Sequence, residues 1–512
     1  MKNEIIKERI GFILDDFKKQ KFNDAILKSK RLLGKIPNND FLLNLIGMCY
    51  MGLKDSEKSS FFFLDAIKKN PENLSAKNNY AMILKALNRI DEAEILIEAI
   101  LEKDPNNKVA LNNVANIKKD NREFNKAINY FNKILEIDKN NIIVHFNLSM
   151  CYQDLRDYKK AIEHARAINK INPNYTAADK VLSSIYNYKK EGKDHLKEMI
   201  NKANKLNLNP DEKISLYFSL GKAYEDLENY EEAFKNYKLA NDNGLLNKSY
   251  DIEKDKKDLQ NIIEIFNKKK ILELNFKQNP SKQVIFICGM PRSGSTLLEQ
   301  IISTHSKIDN MGETDFFQRT FKKFFDLDSE NSIDKIQDYT QKQNNIVFED
   351  YLKQTKRLKL TNNIYTDKSL LNFKYIGFIK IFFPNSKIII TSRNFKNNLL
   401  SIFKNNLPAV RWTYNIELIK QYHSIFLKYV DFWKEKFSDT LITIEYEDLV
   451  KNTEQVSKKV TDFCELQWEP NLLNYHKKNT APIKTASVNQ ADKPVHKKSL
   501  DKFSKFEKFF DL

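Results

Sequence analysis

The sequence predicts an α + α/β chain, an α-solenoid of paired helices followed by an α/β domain on a parallel sheet. Three observations predict it. Residues of one kind recur every 34 positions through the first half. Near residue 290 an apolar run breaks into a glycine-punctuated turn that opens directly into a helix-forming segment. Beyond that turn, short apolar runs alternate with longer helix-like segments, the pattern of a parallel sheet covered by helices. A charged, partly helical stretch lies between the halves. The expected domains are therefore a repeat array over residues 1–248, a charged linker over 249–280 and the α/β domain over 281–512.

The repeat array rests on columns. Ala25, Ser59, Ala93, Ala127 and Ala161 fall in register, as do Gly47, Ala81, Ala115, Ser149 and Ser183. Pro37, Pro71, Pro105 and Pro173 punctuate the segment ends, with Lys139 in the proline's place once. Small residues let two helices approach closely, and proline stops a helix. The period blurs around residues 190–210 and recovers at Leu220-Gly221-Lys222-Ala223-Tyr224, with Ala233 beyond. That gives five clear repeats, one degenerate unit and a final good one. The tyrosines Tyr50, Tyr152 and Tyr186 are expected to fill the space between adjacent pairs. A period of 34 is the tetratricopeptide spacing, and such solenoids offer a groove for a protein or peptide partner.

Composition narrows the rest. The net charge is +17, from 85 basic and 68 acidic residues. Lysine is spread throughout, which reads as solvated helix faces compatible with an acidic ligand and not as a nucleic-acid surface. Cys49, Cys151, Cys288 and Cys464 are far apart in apolar contexts. Reduced core thiols of a cytoplasmic protein are expected, without disulfides or a zinc site. Residues 1–8 have no apolar signal core, and no apolar run approaches ~20 residues, so no membrane span is expected. The oligomeric state is not legible.

The turn carries the chemistry. Val284-Ile285-Phe286-Ile287-Cys288 runs into Gly289-Met290-Pro291-Arg292-Ser293-Gly294-Ser295-Thr296 and then Leu297-Leu298-Glu299. Strand, loop and helix N-terminus in that order make an anion cradle, because loop N–H groups and about half a positive charge from the helix dipole face the same point. A triphosphate-hydrolysing P-loop places Lys after its second glycine. Here Ser295 and Thr296 follow Gly294, and the cation is Arg292. The pattern favours a nucleotide donor other than a triphosphate. Strands are expected at 283–288, 308–311, 387–392 and 441–446, and helices at 295–303, 370–382, 396–405, 416–437 and 453–464. Ligands of such folds bind at strand carboxyl ends, which puts Glu313 and Arg393 on the same rim as the loop. No acidic residue lies in 387–392 to hold magnesium, so metal-independent chemistry is expected.

Over residues 281–512 the chain resembles the sulfotransferases that use 3′-phosphoadenosine 5′-phosphosulfate, and most closely their tyrosylprotein branch. The residues that carry the resemblance are Pro291 to Thr296, Gly312-Glu313-Thr314, Asp367-Lys368, and Ser392-Arg393-Asn394 with Ser401. Glu445-Tyr446-Glu447-Asp448-Leu449 and the run from Ser487 through Gln490 to Lys493-Pro494-Val495 complete it in order. Asn394 replaces the family's usual Asp, and Phe503 stands where Trp is common.

The resemblance implies roles. Pro291, Arg292, Ser293, Gly294, Ser295 and Thr296 would hold the 5′-phosphosulfate. Glu313 would take the acceptor's proton, with Lys368 and Arg292 stabilising charge during transfer. Arg393 and Ser401 would bind the 3′-phosphate, Tyr446 would lie near the adenine, and Ser487 and Lys493 would close over the site. The implied reaction moves a sulfuryl group to an acceptor hydroxyl, tyrosine in the branch resembled, with the repeats recruiting the acceptor or a partner. Two alternatives stay open at this level: a repeat scaffold with a non-catalytic nucleotide-binding domain, and a P-loop kinase.

Overall fold

Wherever the 34-residue period holds, the chain folds as a pair of helices joined through one left-handed residue. These residues are Gln20, Lys54, Asn88, Arg122, Arg156 and, in the last pair, Glu228, with φ between 58° and 63°. The computed structural model describes residues 2–205, 207–246, 250–268, 274, 276, 277, 282–325, 340–358, 360–478 and 500–510. The chain divides into two compact units, residues 1–151 and 152–512.

The repeat helices are α1 (Lys2–Lys18), α2 (Phe22–Leu33), α3 (Asp40–Gly52), α4 (Ser56–Lys69), α5 (Leu74–Ala86), α6 (Ile90–Lys103) and α7 (Lys108–Asp120). They continue as α8 (Phe124–Ile137), α9 (Ile142–Asp154), α10 (Tyr158–Ile171), α11 (Ala177–Ile185), α12 (Lys193–Lys205), α13 (Pro210–Asp226) and α14 (Tyr230–Leu246). The small columns act as expected: a Cβ on Gly47 would stand 2.6 Å from the Phe63 ring, and one on Gly221 would stand 2.5 Å from Tyr237. A further periodic column escaped the sequence reading. Asn39, Asn73, Asn107 and Asn141 cap successive first helices, each side chain accepting from the backbone N–H three residues on at 2.8–3.1 Å. Tyr50 stacks on Phe62 and Tyr152 on His164 within their own helix pairs, each at 5.5 Å, while Tyr50 also accepts from Lys30 of the preceding pair at 3.4 Å and Arg166 of α10 lies over the Tyr186 ring.

The degenerate unit has a physical cause. Between α11 and α12 the small apolar columns give way to a buried polar cluster. Lys202 reaches both oxygens of Asp179 at 2.8 Å, His195 meets the same carboxylate at 3.1 Å, and Tyr188 meets His195 at 2.8 Å. The segment 249–280 contains α15 (Ile252–Asn267). Its Phe266 packs edge-on against Phe378 and Trp433 at 4.9 and 5.1 Å, so this part of the stretch belongs to the core of the second unit.

Five parallel strands follow: β1 (Gln283–Gly289), β2 (Ile308–Glu313), β3 (Ile364–Lys368), β4 (Lys387–Ser392) and β5 (Leu441–Glu445), in the order β2-β3-β1-β4-β5. The helices around them are α16 (Ser295–Ile302), α17 (Phe316–Phe324), α18 (Gln341–Thr355), α19 (Ile376–Phe382), α20 (Phe395–Phe403), α21 (Ile416–Lys436), α22 (Tyr446–Lys451) and α23 (Thr453–Phe463). Side chains alternate across β1. Val284, Phe286 and Cys288 join one core with Phe317 and Phe383, whereas Ile285 and Ile287 join another with Leu298, Ile301 and Val460.

The sequence reading missed β3, α18 and α22. The helix expected at 370–382 is a 3-10 turn (Leu370–Tyr375) running into α19. The last strand ends at Glu445, and Tyr446 opens a helix. All four cysteines are buried free thiols. Among the described residues, no helix is long and apolar enough to cross a membrane.

Candidate functional site

Strand register assembles the site. Ile287 of β1 is level with Lys368 of β3, Glu313 of β2 is level with the same Lys368, and Gly289 is level with Thr391 of β4. Four strands thus end together, and the loop 290–294 rises among them.

That loop is built for close approach. Gly289 has φ 150°, and a Cβ there would lie 2.3 Å from the Thr391 carbonyl oxygen. Gly294 has φ 98°, and its Cβ would strike the Tyr446 ring at 2.5 Å. No residue other than Gly can occupy either position without displacement. Polar contacts hold the loop from the β4 side. Ser293 Oγ pairs with Thr391 Oγ1 at 2.7 Å, Asn398 donates to the Pro291 carbonyl at 2.9 Å, and Arg393 donates to the Arg292 carbonyl at 3.2 Å. The N-cap of α16 is Gly294, which brings no side chain to the first N–H groups. A phosphate-like anion suits that end of the helix. The donor set fits such an anion, with backbone N–H groups, the hydroxyls of Ser295 and Thr296, and two guanidinium groups close by.

Lys368 is the second focus. It is 1% exposed, and its ammonium donates to Thr296 Oγ1 at 3.1 Å. It also lies 3.3 Å from Glu299 of α16 and 3.4 Å from Glu313. Glu299 is as buried as the lysine and accepts from the Thr366 hydroxyl at 3.1 Å. Glu313 differs: its side chain is 40% exposed, so one face meets solvent while the other meets the cation. Partial burial raises its pKa above the ordinary carboxylate value, against the pull of Lys368. The preceding residue, Asp367, points the other way across the strand. It is fully buried, accepts from the Tyr351 hydroxyl at 2.8 Å, and is raised to about 7 by burial.

The third focus is a pair of arginines. Burial, and then repulsion from Arg393, lower Arg292 to about 10, which leaves it charged at neutral pH. Its Nε donates to Ser401 Oγ at 3.2 Å, so two groups expected at opposite phosphates touch each other. Arg393 lies over the Tyr446 ring at 4.5 Å and is 3.9 Å from Glu447. Tyr446 therefore lies against both Gly294 and Arg393, beside the loop 290–294. Asn394, where the family resembled has Asp, still caps α20 by accepting from Asn397 N at 3.3 Å. Phe503 packs on Phe510 at 5.3 Å with Lys396 over its ring.

The structure brings together Pro291 to Thr296, Glu313, Lys368, Arg393, Ser401 and Tyr446. Ser487 and Lys493 lie outside the described residues. The sequence reading missed Glu299, Thr391 and Asn398. Glu299 had a legible signal, a charge on the core face of an otherwise apolar helix. Among the described residues, no group of three or more His, Cys, Asp or Glu is placed to hold a metal ion.

Comparison with known proteins adds the family context. Residues 284–470 match the model of a sulfotransferase family, residues 65–235 match the N-terminal TPR repeats region of psidin, and residues 42–73 match the tetratricopeptide repeat. An uncharacterised protein of Aquifex aeolicus (strain VF5) is 28% identical over 302 residues, which is 57% of this chain and 40% of that one. A protein-tyrosine sulfotransferase of Drosophila melanogaster is 22% identical over 241 residues, 44% of this chain and 48% of that one. Protein-tyrosine sulfotransferase A of Caenorhabditis elegans is 22% identical over 244 residues, 44% of this chain and 62% of that one. The matched region thus spans between 40% and 62% of these relatives' own length.

Proposed function

We propose that this chain, which joins tetratricopeptide repeats to a sulfotransferase-family domain, transfers a sulfuryl group from 3′-phosphoadenosine 5′-phosphosulfate to an acceptor hydroxyl. The observation that carries the reading is the cluster at the end of the phosphate loop. The Lys368 ammonium lies 3.4 Å from Glu313 and 3.1 Å from Thr296, and Arg393 bonds the Arg292 carbonyl beside them.

The donor supplies an activated sulfuryl group on a phosphate leaving group. The protein's part is positioning and charge stabilisation, as in phosphoryl transfer. Arg292 and the N–H groups from Ser293 to Thr296 hold the 5′ end, and Arg393 with Ser401 holds the 3′-phosphate. The planar guanidinium suits that anion. Tyr446 borders the nucleotide. Glu313, half exposed and raised in pKa, takes the acceptor's proton, because only a carboxylate with an open face can meet an incoming hydroxyl. Lys368 neutralises the charge that develops between donor and acceptor.

The acceptor we favour is a tyrosine in a protein or peptide, recruited by the repeat groove. The protein-tyrosine sulfotransferases of Drosophila melanogaster and Caenorhabditis elegans to which the chain is similar support that choice. The deciding experiment is sulfuryl transfer to a tyrosine-containing acidic peptide by the unaltered chain and by Glu313→Gln. Loss of turnover with nucleotide affinity retained is expected. Equal turnover by both proteins would remove Glu313 from the chemistry.

A further inference from the structure

The last helix pair of the repeat array is built into the nucleotide side of the second unit. From α14, Asn241 donates to the Phe403 carbonyl at the end of α20, at 2.7 Å. Phe234 packs on Phe403, Phe509 and Phe510 at 5.2–5.6 Å. Gly244 leaves room for the Tyr414 ring, which an added Cβ would meet at 2.6 Å. A charged contact sits inside this apolar seam. Glu225 of α13 accepts from Lys404 at 2.6 and 2.9 Å, from the Tyr237 hydroxyl at 2.8 Å and from Lys502 at 3.5 Å. Glu225 and Lys404 are each about as hidden as the other, at 15% and 14% exposed.

Their surroundings make this more than a surface ion pair. Burial pushes the Glu225 carboxyl up, but Lys404 and Lys502 outweigh it and hold it down at about 2. Burial lowers Lys404 to about 8 against the pull of Glu225, with Lys502 and then Arg292 adding to the fall. Lys404 is the residue after α20, the helix whose Ser401 meets Arg292. Lys502 belongs to the returning segment 500–510, which grips the start of the same helix: Asn397 donates to the Leu500 carbonyl at 2.9 Å and accepts from Phe503 N at 3.2 Å. One carboxylate from the repeat array therefore ties the far end of α20 to the segment 500–510.

We propose that Glu225 is a positioning residue of the donor site, acting through Lys404 and Lys502 to fix the helix that presents Ser401 and Asn398 to the phosphate loop. The final repeat is then part of the donor site and not only a spacer for partner binding. This rests on the donor reading above. A repeat that merely supports the fold would influence stability alone. A positioning repeat alters donor affinity and leaves the chemical step intact.

The test uses the full chain and calorimetric binding of 3′-phosphoadenosine 5′-phosphate. Glu225→Gln keeps the shape and removes the charge, and is expected to weaken binding about ten- to a hundredfold. Lys404→Met should weaken it comparably, and the double variant should be no weaker than the worse single one, the signature of one shared contact. In turnover the donor KM should rise with kcat at saturating donor nearly unchanged. Unchanged affinity in Glu225→Gln, additive losses in the double variant, or a fall in kcat without a rise in KM would each overturn the proposal. If Glu225→Gln fails to fold, Tyr237→Phe carries the test. It removes only the hydroxyl that steadies Glu225 and should still weaken binding measurably; full affinity there would also overturn the proposal. Absence of binding by the unaltered chain would instead refute the donor reading, and this inference with it.

Discussion

Replacing Lys368 by Met separates what the lysine does for the fold from what it does for the reaction. Its ammonium lies 3.3 Å from Glu299, and both side chains are 1% exposed. At an effective dielectric near 20 that attraction is roughly 5 kcal/mol before desolvation is counted. Most of it is offset by the cost of drying two charges, yet removing one partner strands the other, and such losses run to about 3–5 kcal/mol. Lys368→Met should therefore lower unfolding stability by that amount. Adding Glu299→Gln removes the stranded charge and keeps an acceptor for the Thr366 hydroxyl, so most of the stability should return. Turnover should not return, because neither of the substituted side chains carries a positive charge to the transferring group; a loss of about 10²–10³-fold is expected in both the single and the double variant. Urea unfolding reports the first quantity, and sulfuryl transfer at saturating donor reports the second. Recovery of turnover together with stability in the double variant would refute the catalytic role and leave Lys368 as a structural counter-ion.

Three further outcomes follow from the same geometry. Arg393→Ala removes the guanidinium that bonds the Arg292 carbonyl and covers Tyr446; it should weaken 3′-phosphoadenosine 5′-phosphate by about ten- to a hundredfold and weaken 5′-AMP far less, whereas equal losses would remove the 3′-phosphate assignment. Gly294→Ala puts a Cβ 2.5 Å from the Tyr446 ring at φ 98°; nucleotide binding should fall sharply in calorimetry, and unchanged affinity would remove the loop from the nucleotide site. Asp367→Asn tests a pH effect. The native carboxyl is raised from 3.8 to about 7, so between these values the unfolded chain has lost a proton that the folded chain keeps, and stability falls as pH rises. The variant, which still accepts from Tyr351, should match the parent near pH 4 and gain up to about 4 kcal/mol by pH 8; a gain that is constant across pH would contradict the burial argument.

What was legible in the sequence and what was not have separate physical causes. The repeats were readable because each pair solves the same packing problem, so Gly47 against Phe63 recurs as Gly221 against Tyr237. The period failed where Asp179, His195 and Lys202 replace the apolar column with a buried polar cluster. The loop 290–294 was readable because Gly289 and Gly294 occupy backbone conformations and clearances that other residues cannot. Strand β3 was missed because its second half, Thr366-Asp367-Lys368, is buried but polar: the site's own chemistry erased the apolar pattern by which strands are found. Glu299 was overlooked because its importance depends on register, which sets Lys368 of one strand beside α16 and Glu313 of another. Glu225 lies far from the loop in sequence, and only the folding back of the final repeat onto α20 places it there.

The central claim is that the loop, the arginine pair and Lys368 form a site for a 3′-phosphorylated adenine nucleotide that donates a sulfuryl group. The most direct measurement is thermal stabilisation of the full chain by 3′-phosphoadenosine 5′-phosphate, beside magnesium-ATP and 5′-AMP, each over a concentration series. The account predicts a concentration-dependent rise with the 3′-phosphorylated nucleotide, little with 5′-AMP and none specific to magnesium-ATP. A rise with magnesium-ATP alone would contradict it and return the domain to the P-loop kinases, and no rise with any of the three would leave the site without a nucleotide.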